Sequence, residues 1–186
     1  YVQDGAVRLM SRGGLDITKP FPEIVEELEQ QAVGSMILDG EIIALASDGR
    51  PSFNALQNRA QLKTEQEIAA AQRDTPVAVV FFDLLHFAGV NLRDRTYLER
   101  RRYLSQCLLP SAHIQLVHAT EDGETLYDAA IEHGFEGIVA KRKDSKYQPG
   151  RRSAAWSKIK AAHTADFVVG GYTKGKGARE SIGALL

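Results

Sequence analysis

Glu136-Gly-Ile-Val-Ala-Lys141, Arg142-Lys-Asp-Ser-Lys-Tyr-Gln-Pro-Gly-Arg-Arg-Ser-Ala-Ala155 and Trp156-Ser-Lys-Ile-Lys160 run on from one another. No other stretch constrains the chain as tightly. Its outer segments, 137–141 and 156–159, read as short strands on either side of a basic loop. Eight cations (Lys141, Arg142, Lys143, Lys146, Arg151, Arg152, Lys158 and Lys160) share the stretch with one acid, Asp144, while Glu136 stands just upstream. Lys158 and Lys160 alternate with Ile159, so both ammonium groups project from one strand face. Like charges placed so are mildly unfavourable without an anion between them. A solvated edge strand protected by lysines would share this pattern. Gly137, next to Glu136, lets backbone approach a ligand closely. A carboxylate beside many lysines suits a site that holds a metal ion and a polyphosphate together, since the metal needs hard oxygen ligands and the phosphates need fixed positive charge.

A chain of 186 residues that is 44% hydrophobic with a net charge of −1 can bury one good core and part of a second domain. No apolar run is long enough to span a membrane, and the N-terminus lacks the basic and apolar regions of a signal peptide, so no membrane role is expected. The lone Cys107 excludes an intramolecular disulfide and fits a reducing cytosol, where it reads as a small semi-buried apolar residue. Charge is unevenly spread: residues 1–74 carry more acids than bases, whereas 141–160 are strongly basic. That local block is the feature that can meet a polyanion.

Patterning predicts strands over 7–12, 35–46, 77–85 and 114–119, and helices over 21–31, 53–59, 97–109 and 124–133. Residues 63–73 read as a polar helix or a connector. Two further strands, over 166–172 and 182–186, flank a Gly/Lys-rich hairpin. Strands and helices without regular βαβ alternation indicate the α+β class, with mixed or antiparallel sheets and flanking helices.

Three further clusters carry chemistry. Asp39-Gly40-Glu41 interrupts an apolar strand, and burying those carboxylates requires a metal, a hydroxyl or a cation as partner. A bulge at a sheet edge with both acids solvated is the alternative. Phe81-Phe82-Asp83 places an acid at the end of a buried strand and sends two aromatic rings to opposite faces, one to the core and one able to offer a flat surface to a purine. Asp83 could equally cap a helix. Ser11-Arg12-Gly13-Gly14 puts an arginine before a flexible turn, where it could grip a phosphate or ribose or simply pair with Asp16. His86, His113, His118, His133 and His163 lack metal-ligand spacing, and no phosphate-binding P-loop or dinucleotide fingerprint occurs.

In order, these clusters resemble the motifs of the nucleotidyltransferase superfamily: ATP-dependent DNA ligases, RNA ligases and mRNA capping enzymes. Ser11-Arg12-Gly13-Gly14 is similar to the motif after the nucleophile, Leu38-Asp39-Gly40-Glu41 to motif III and Phe82-Asp83-Leu84-Leu85 to motif IIIa. Glu136 to Lys141 resembles motif IV, and Trp156 to Lys160 motif V. Phe167 to Thr173 with Gly183 to Leu186 resembles the opening of the OB-fold domain in bacterial DNA ligases, most closely ligase D of non-homologous end joining and its stand-alone relatives. The resemblance implies an adenylation domain over 1–162 and the first strands of an OB-fold over 163–186. It implies that Phe82 stacks on adenine, that Arg12 and Glu41 contact the ribose or nearby phosphate, and that Lys141 belongs to the phosphate-facing wall. Glu136, Lys158 and Lys160 would be catalytic, with Glu136 and Glu41 as metal ligands. Lys143, Lys146, Arg151 and Arg152 would meet the DNA backbone. ATP is the implied AMP donor, with Mg2+ or Mn2+. Nicked double-stranded DNA is the implied substrate in repair, in a bacterial, cytoplasmic and nucleoid-associated setting. The end-binding protein Ku and fused polymerase or phosphoesterase domains are candidate partners. An RNA ligase, a capping guanylyltransferase or a degenerate non-catalytic binding module are the alternative readings.

The family's nucleophile is a lysine in Lys-x-Asp-Gly, and no such motif occurs here. Gln3-Asp4-Gly5 is a decoy, because Val2 holds the lysine's position. The chain is therefore expected to begin after its nucleophile and to end before the OB barrel closes. Incubation with labelled ATP and magnesium should leave no covalent label on these 186 residues; a stable adduct would reveal an unrecognised nucleophile.

Overall fold

The computed structural model describes residues 1–31, 34–46, 50–151, 153–161, 168–175 and 184–185. β1 (Val2–Gln3) and β2 (Ala6–Val7) form a hairpin around Asp4 and Gly5, whose φ angles of 52° and 80° match a type I′ turn. The predicted strand over 7–12 is shorter than expected. After Val7 the chain folds back on itself, Ser11 Oγ accepting from Leu15 N and Gly14 N donating to Ser11 O. These local bonds satisfy backbone groups that a longer ladder would need. α1 (Pro22–Gln31) starts on a proline, as helix starts tolerate, and buries Ile24 and Leu28 one turn apart. β3 (Met36–Ala44) follows.

α2 (Phe53–Ala60) is capped by Ser52, and α3 (Glu65–Asp74) by a Thr64–Glu67 capping box, so 63–73 is mainly helix rather than connector. β4 (Val77–Phe87) is the longest strand and runs two residues beyond its predicted end. β5 (Val90–Asn91), α4 (Tyr97–Cys107), β6 (Ile114–Leu116), α5 (Gly123–Glu132), β7 (Gly137–Lys141) and β8 (Trp156–Lys160) follow. β9 (Tyr172–Thr173) pairs antiparallel with β10 (Ala184–Leu185). The remainder of the predicted 166–172 and 182–186 strands is either unpaired (168–171) or outside the described residues.

The main sheet has the order β2-β1-β3-β4-β5, with β6 running parallel to β4 beside it, whereas β7 and β8 form a separate antiparallel pair. This mixed arrangement confirms the α+β reading. The core lies between the sheet and its helices, where Phe21, Ile24, Leu28, Leu84, Leu104 and Ile114 are almost wholly buried. Each such side chain contributes roughly 1.5–3 kcal/mol by leaving water.

Two arginines are also fully buried. Arg59 on α2 gives two bonds to Glu23 on α1, at 2.7 and 2.8 Å, and one to Pro20 O. Arg100 on α4 grips Asp83 on β4 through Nε to Oδ1 and Nη2 to Oδ2, both 2.8 Å, with neither side chain exposed. Asp83 is thus neither at a strand end nor a helix cap. It sits inside β4, and the bidentate arginine replaces the water it has lost.

Candidate active site

The floor of the site is the β3–β4 ladder. Register shifts between Ile37 and Leu38 and between Asp39 and Gly40 leave Leu85 and Phe82 as extra residues in β4. The second bulge falls where Asp39-Gly40-Glu41 meets Phe81-Phe82-Asp83. A Cβ on Gly40 would lie 2.7 Å from Phe81 Cδ1 and 2.9 Å from Val80 O, so only glycine lets the two strands meet here. Phe81 enters the core and half-buried Phe82 faces the other way, as alternation predicts. Past Met36, β3 has no strand on its far side among the described residues. The edge-bulge alternative therefore holds for exposed Glu41. It fails for half-buried Asp39, whose Oδ2 accepts from Tyr147 Oη at 2.7 Å. Burial pushes the Asp39 carboxyl above its ordinary pKa, and the Tyr147 bond pulls against that shift.

The wall is the β7–β8 pair. Its register sets Lys141 opposite Trp156, Val139 opposite Lys158 and Gly137 opposite Lys160, so these side chains share one face. Gly137 has φ of 138°, and a Cβ there would lie 2.0 Å from Ile159 O. No other residue type lets the strands close.

At one end of this face Glu136 accepts from both lysines, Lys158 Nζ at 2.6 Å and Lys160 Nζ at 2.8 Å. The anion required between those lysines is therefore Glu136 itself. Their hydrogen bonds hold its carboxyl at about 2, far below the usual range. All three side chains are roughly half exposed or more. At the other end the Lys141 ammonium lies 3.8 Å from the Trp156 ring centre, 4.1 Å from Phe82 and 5.0 Å from Tyr97. Burial lowers its pKa to about 8, against the pull of Asp83 and Asp39. The wall therefore carries an aromatic box with a cation inside it and, further along, an exposed cation pair sharing one carboxylate.

Such an exposed ion pair contributes little to folding, so its partners can exchange. A phosphate could take the two lysines and release the carboxylate toward a metal. Among the described residues no group of three or more His, Cys, Asp and Glu side chains gathers. This fits a divalent ion that keeps water and phosphate oxygens as most of its ligands and needs one or two carboxylates, which Glu136 can begin to supply.

The remaining predicted residues are less tightly gathered. Arg12 and Glu41 are exposed and make no side-chain hydrogen bond or ion pair among the described residues. In the basic loop, Lys143 pairs with Glu121, Lys146 lies 3.8 Å from Asp94, and Arg151 is exposed. Arg152 lies outside the described residues. Sequence reasoning assigned no role to Arg100, Tyr147 or Trp156. Arg100 had a visible signal, since Tyr97, Arg100 and Leu104 follow the spacing of a buried helix stripe.

A model of the ATP dependent DNA ligase domain matches residues 1–160. The multifunctional non-homologous end joining DNA repair protein LigD of Mycobacterium tuberculosis (strain H37Rv) is 39% identical over 98% of this chain and 22% of its own length. A probable DNA ligase of Anaeromyxobacter sp. (strain Fw109-5) is 37% identical over 96% of this chain and 34% of its own. The solved structure of mycobacterial DNA ligase D complexed with ATP and MES superposes with a TM-score of 0.70 and 36% identity, over all of this chain and 56% of that one. The chain thus spans between a fifth and about a third of the two curated relatives. Among the described residues no helix is long and apolar enough to cross a membrane.

Proposed function

The chain belongs to the ATP-dependent DNA ligase family, and from that membership we propose that it forms the adenylate-handling core of an enzyme that seals nicks in DNA during repair. In this reading a lysine attacks the α-phosphate of ATP and pyrophosphate leaves. AMP then passes to the 5′-phosphate of the nick, and the 3′-hydroxyl displaces it. The 186 residues contain no Lys-x-Asp-Gly to supply that lysine. What they supply is positioning and charge neutralisation, the main demands of phosphoryl-type transfer.

One observation carries the proposal: Glu136 held between Lys158 and Lys160, on the same strand-pair face as the Phe82–Trp156 box. In our reading Phe82 receives the adenine, and Arg12 and Glu41 reach the ribose or nearby phosphate. Lys158 and Lys160 hold the α-phosphate, with Lys141 on the same wall. Glu136, assisted by Glu41, would hold Mg2+ or Mn2+, which when bound would neutralise phosphate charge. Lys143, Lys146, Arg151 and Arg152 would contact the DNA backbone with salt-sensitive affinity. The β9–β10 pair supports residues 163–186 as the opening of an OB-fold domain. The relatives described above are DNA ligases, which favours a DNA substrate over RNA or a cap. Ku, fused end-joining domains and a bacterial nucleoid setting complete the proposal, and co-purification from cells tests them.

The decisive assay is sealing of a nicked duplex by the full-length gene product. Glu136→Ala and Lys160→Ala should each lower sealing by about 100-fold or more, the scale of losing one electrostatic stabiliser of a transition state. Unchanged sealing would remove both residues from the mechanism.

A further inference from the structure

We propose that Tyr147, supported by Arg100, is a positioning residue that holds the basic loop 142–151 on the nucleotide-facing sheet and so sets where the loop's cations meet DNA. The inference rests on the ligase reading and concerns residues to which that reading gives no role. Within the loop, Ser145 and Tyr147 face inward while Lys143, Asp144 and Lys146 are exposed. Each inward residue is tied to a different part of the domain.

Tyr147 Oη donates to Asp39 Oδ2 at 2.7 Å, a bond that spans 108 positions of sequence and ends one residue before Gly40-Glu41. Its backbone N donates to Arg93 O at 2.9 Å, and its ring meets Trp156 edge-on at 6.1 Å. Ser145 is buried, and its carbonyl accepts from Arg100 Nη1 at 3.2 Å. The same guanidinium grips Asp83 and lies 5.7 Å from the Tyr147 ring centre. Leu98 N closes the start of the loop on Lys143 O at 3.0 Å.

Asp39 and Asp83 are register partners in the β3–β4 ladder. The two ties made through side chains, Tyr147 to Asp39 and Ser145 through Arg100 to Asp83, therefore end on one pair of facing residues, beside the bulge that presents Phe82. Outside, Lys143 and Lys146 are 55% and 66% exposed, and the carboxylates they touch are more exposed still. Those partners can be exchanged for DNA phosphates at little loss. The inner ties are better shielded, since Ser145 and Arg100 are buried and Asp39 and Tyr147 are half-buried. A loop built this way carries rigid anchors on one side and exchangeable cations on the other, and it places the phosphate contacts relative to the nucleotide pocket.

The test uses the full-length gene product with Tyr147→Phe, which removes one hydroxyl and keeps the ring. KM for a nicked duplex should rise about tenfold, the factor that 1.4 kcal/mol represents, while the rate of enzyme adenylation without DNA and the kcat for sealing stay within about twofold. The same substitution in a Lys143→Ala/Lys146→Ala background should add little, because the cations it positions are gone. An unchanged KM would overturn the proposal. So would an equal fall in adenylation, or a full tenfold effect in the double-alanine background, since either shows a role that does not pass through the loop. If the unaltered protein neither adenylates nor seals, the ligase reading itself fails and this inference falls with it.

Discussion

Two carboxylate–cation clusters lie on neighbouring parts of this domain and differ in almost everything except chemistry. Asp83 and Arg100 are both fully buried and bonded twice, and the spare guanidinium nitrogen is occupied by backbone carbonyls. Glu136, Lys158 and Lys160 are about half exposed or more, on a short two-stranded ribbon with water on hand to replace any partner. Removing one charge from the buried pair strands the other in a medium that cannot solvate it. Removing one from the exposed trio leaves the others hydrated. The difference separates what holds the fold from what is free to bind, and residue type alone does not reveal it.

The buried pair is the more sensitive of the two clusters. Asp83→Ala should cost about 3–5 kcal/mol of stability in denaturant unfolding; a loss below about 1 kcal/mol would class the pair with surface ion pairs. Next comes the scaffold of the exposed trio. Gly137→Ala should cost about 1–3 kcal/mol from backbone strain alone, and the 2.0 Å approach to Ile159 O adds a clash that separates β7 from β8. A variant as stable as the parent would mean that the ribbon does not depend on this glycine.

A smaller effect concerns the intermediate case, Lys141, which is neither as buried as Arg100 nor as open as Lys160. Burial lowers its pKa to about 8 in the free protein. Below that pH it is charged and, in the proposed reading, would help to attract a polyphosphate. Above it the amine must first take up a proton, so ATP affinity should be flat below about pH 8 and fall above it by up to tenfold per pH unit. Lys141→Arg keeps its charge throughout and should abolish that fall. The same decline in both proteins would assign it to another group.

Much of the fold was legible because its signals are local. Pro22 and the β-branched and aromatic run at 77–85 mark their elements within a few residues. The bulged meeting of Asp39-Gly40-Glu41 with Phe82 was half legible: the acids announced an irregular strand, but not that Asp39 would be shielded and Glu41 open. The partners that decide such matters are distant in sequence, 17 positions for Arg100 and Asp83 and 108 for Tyr147 and Asp39. Arg100 sits in a run of three arginines, and only its place on the buried stripe of α4 distinguishes it from its neighbours. The trio at Glu136 was legible as charge on one strand face. That Glu136 would be the anion between its own lysines follows only from the strand register.

In the proposed reading the Glu136–Lys158–Lys160 cluster binds phosphate and does little to hold the fold. Lys160→Ala in the full-length gene product tests it most directly, with ATP affinity and the unfolding midpoint measured on the same preparation. The affinity should fall about tenfold or more, in line with the loss of one charge-assisted contact, while the midpoint stays where it was. A lowered midpoint with unchanged affinity would make the exposed cluster structural and leave phosphate binding to other residues.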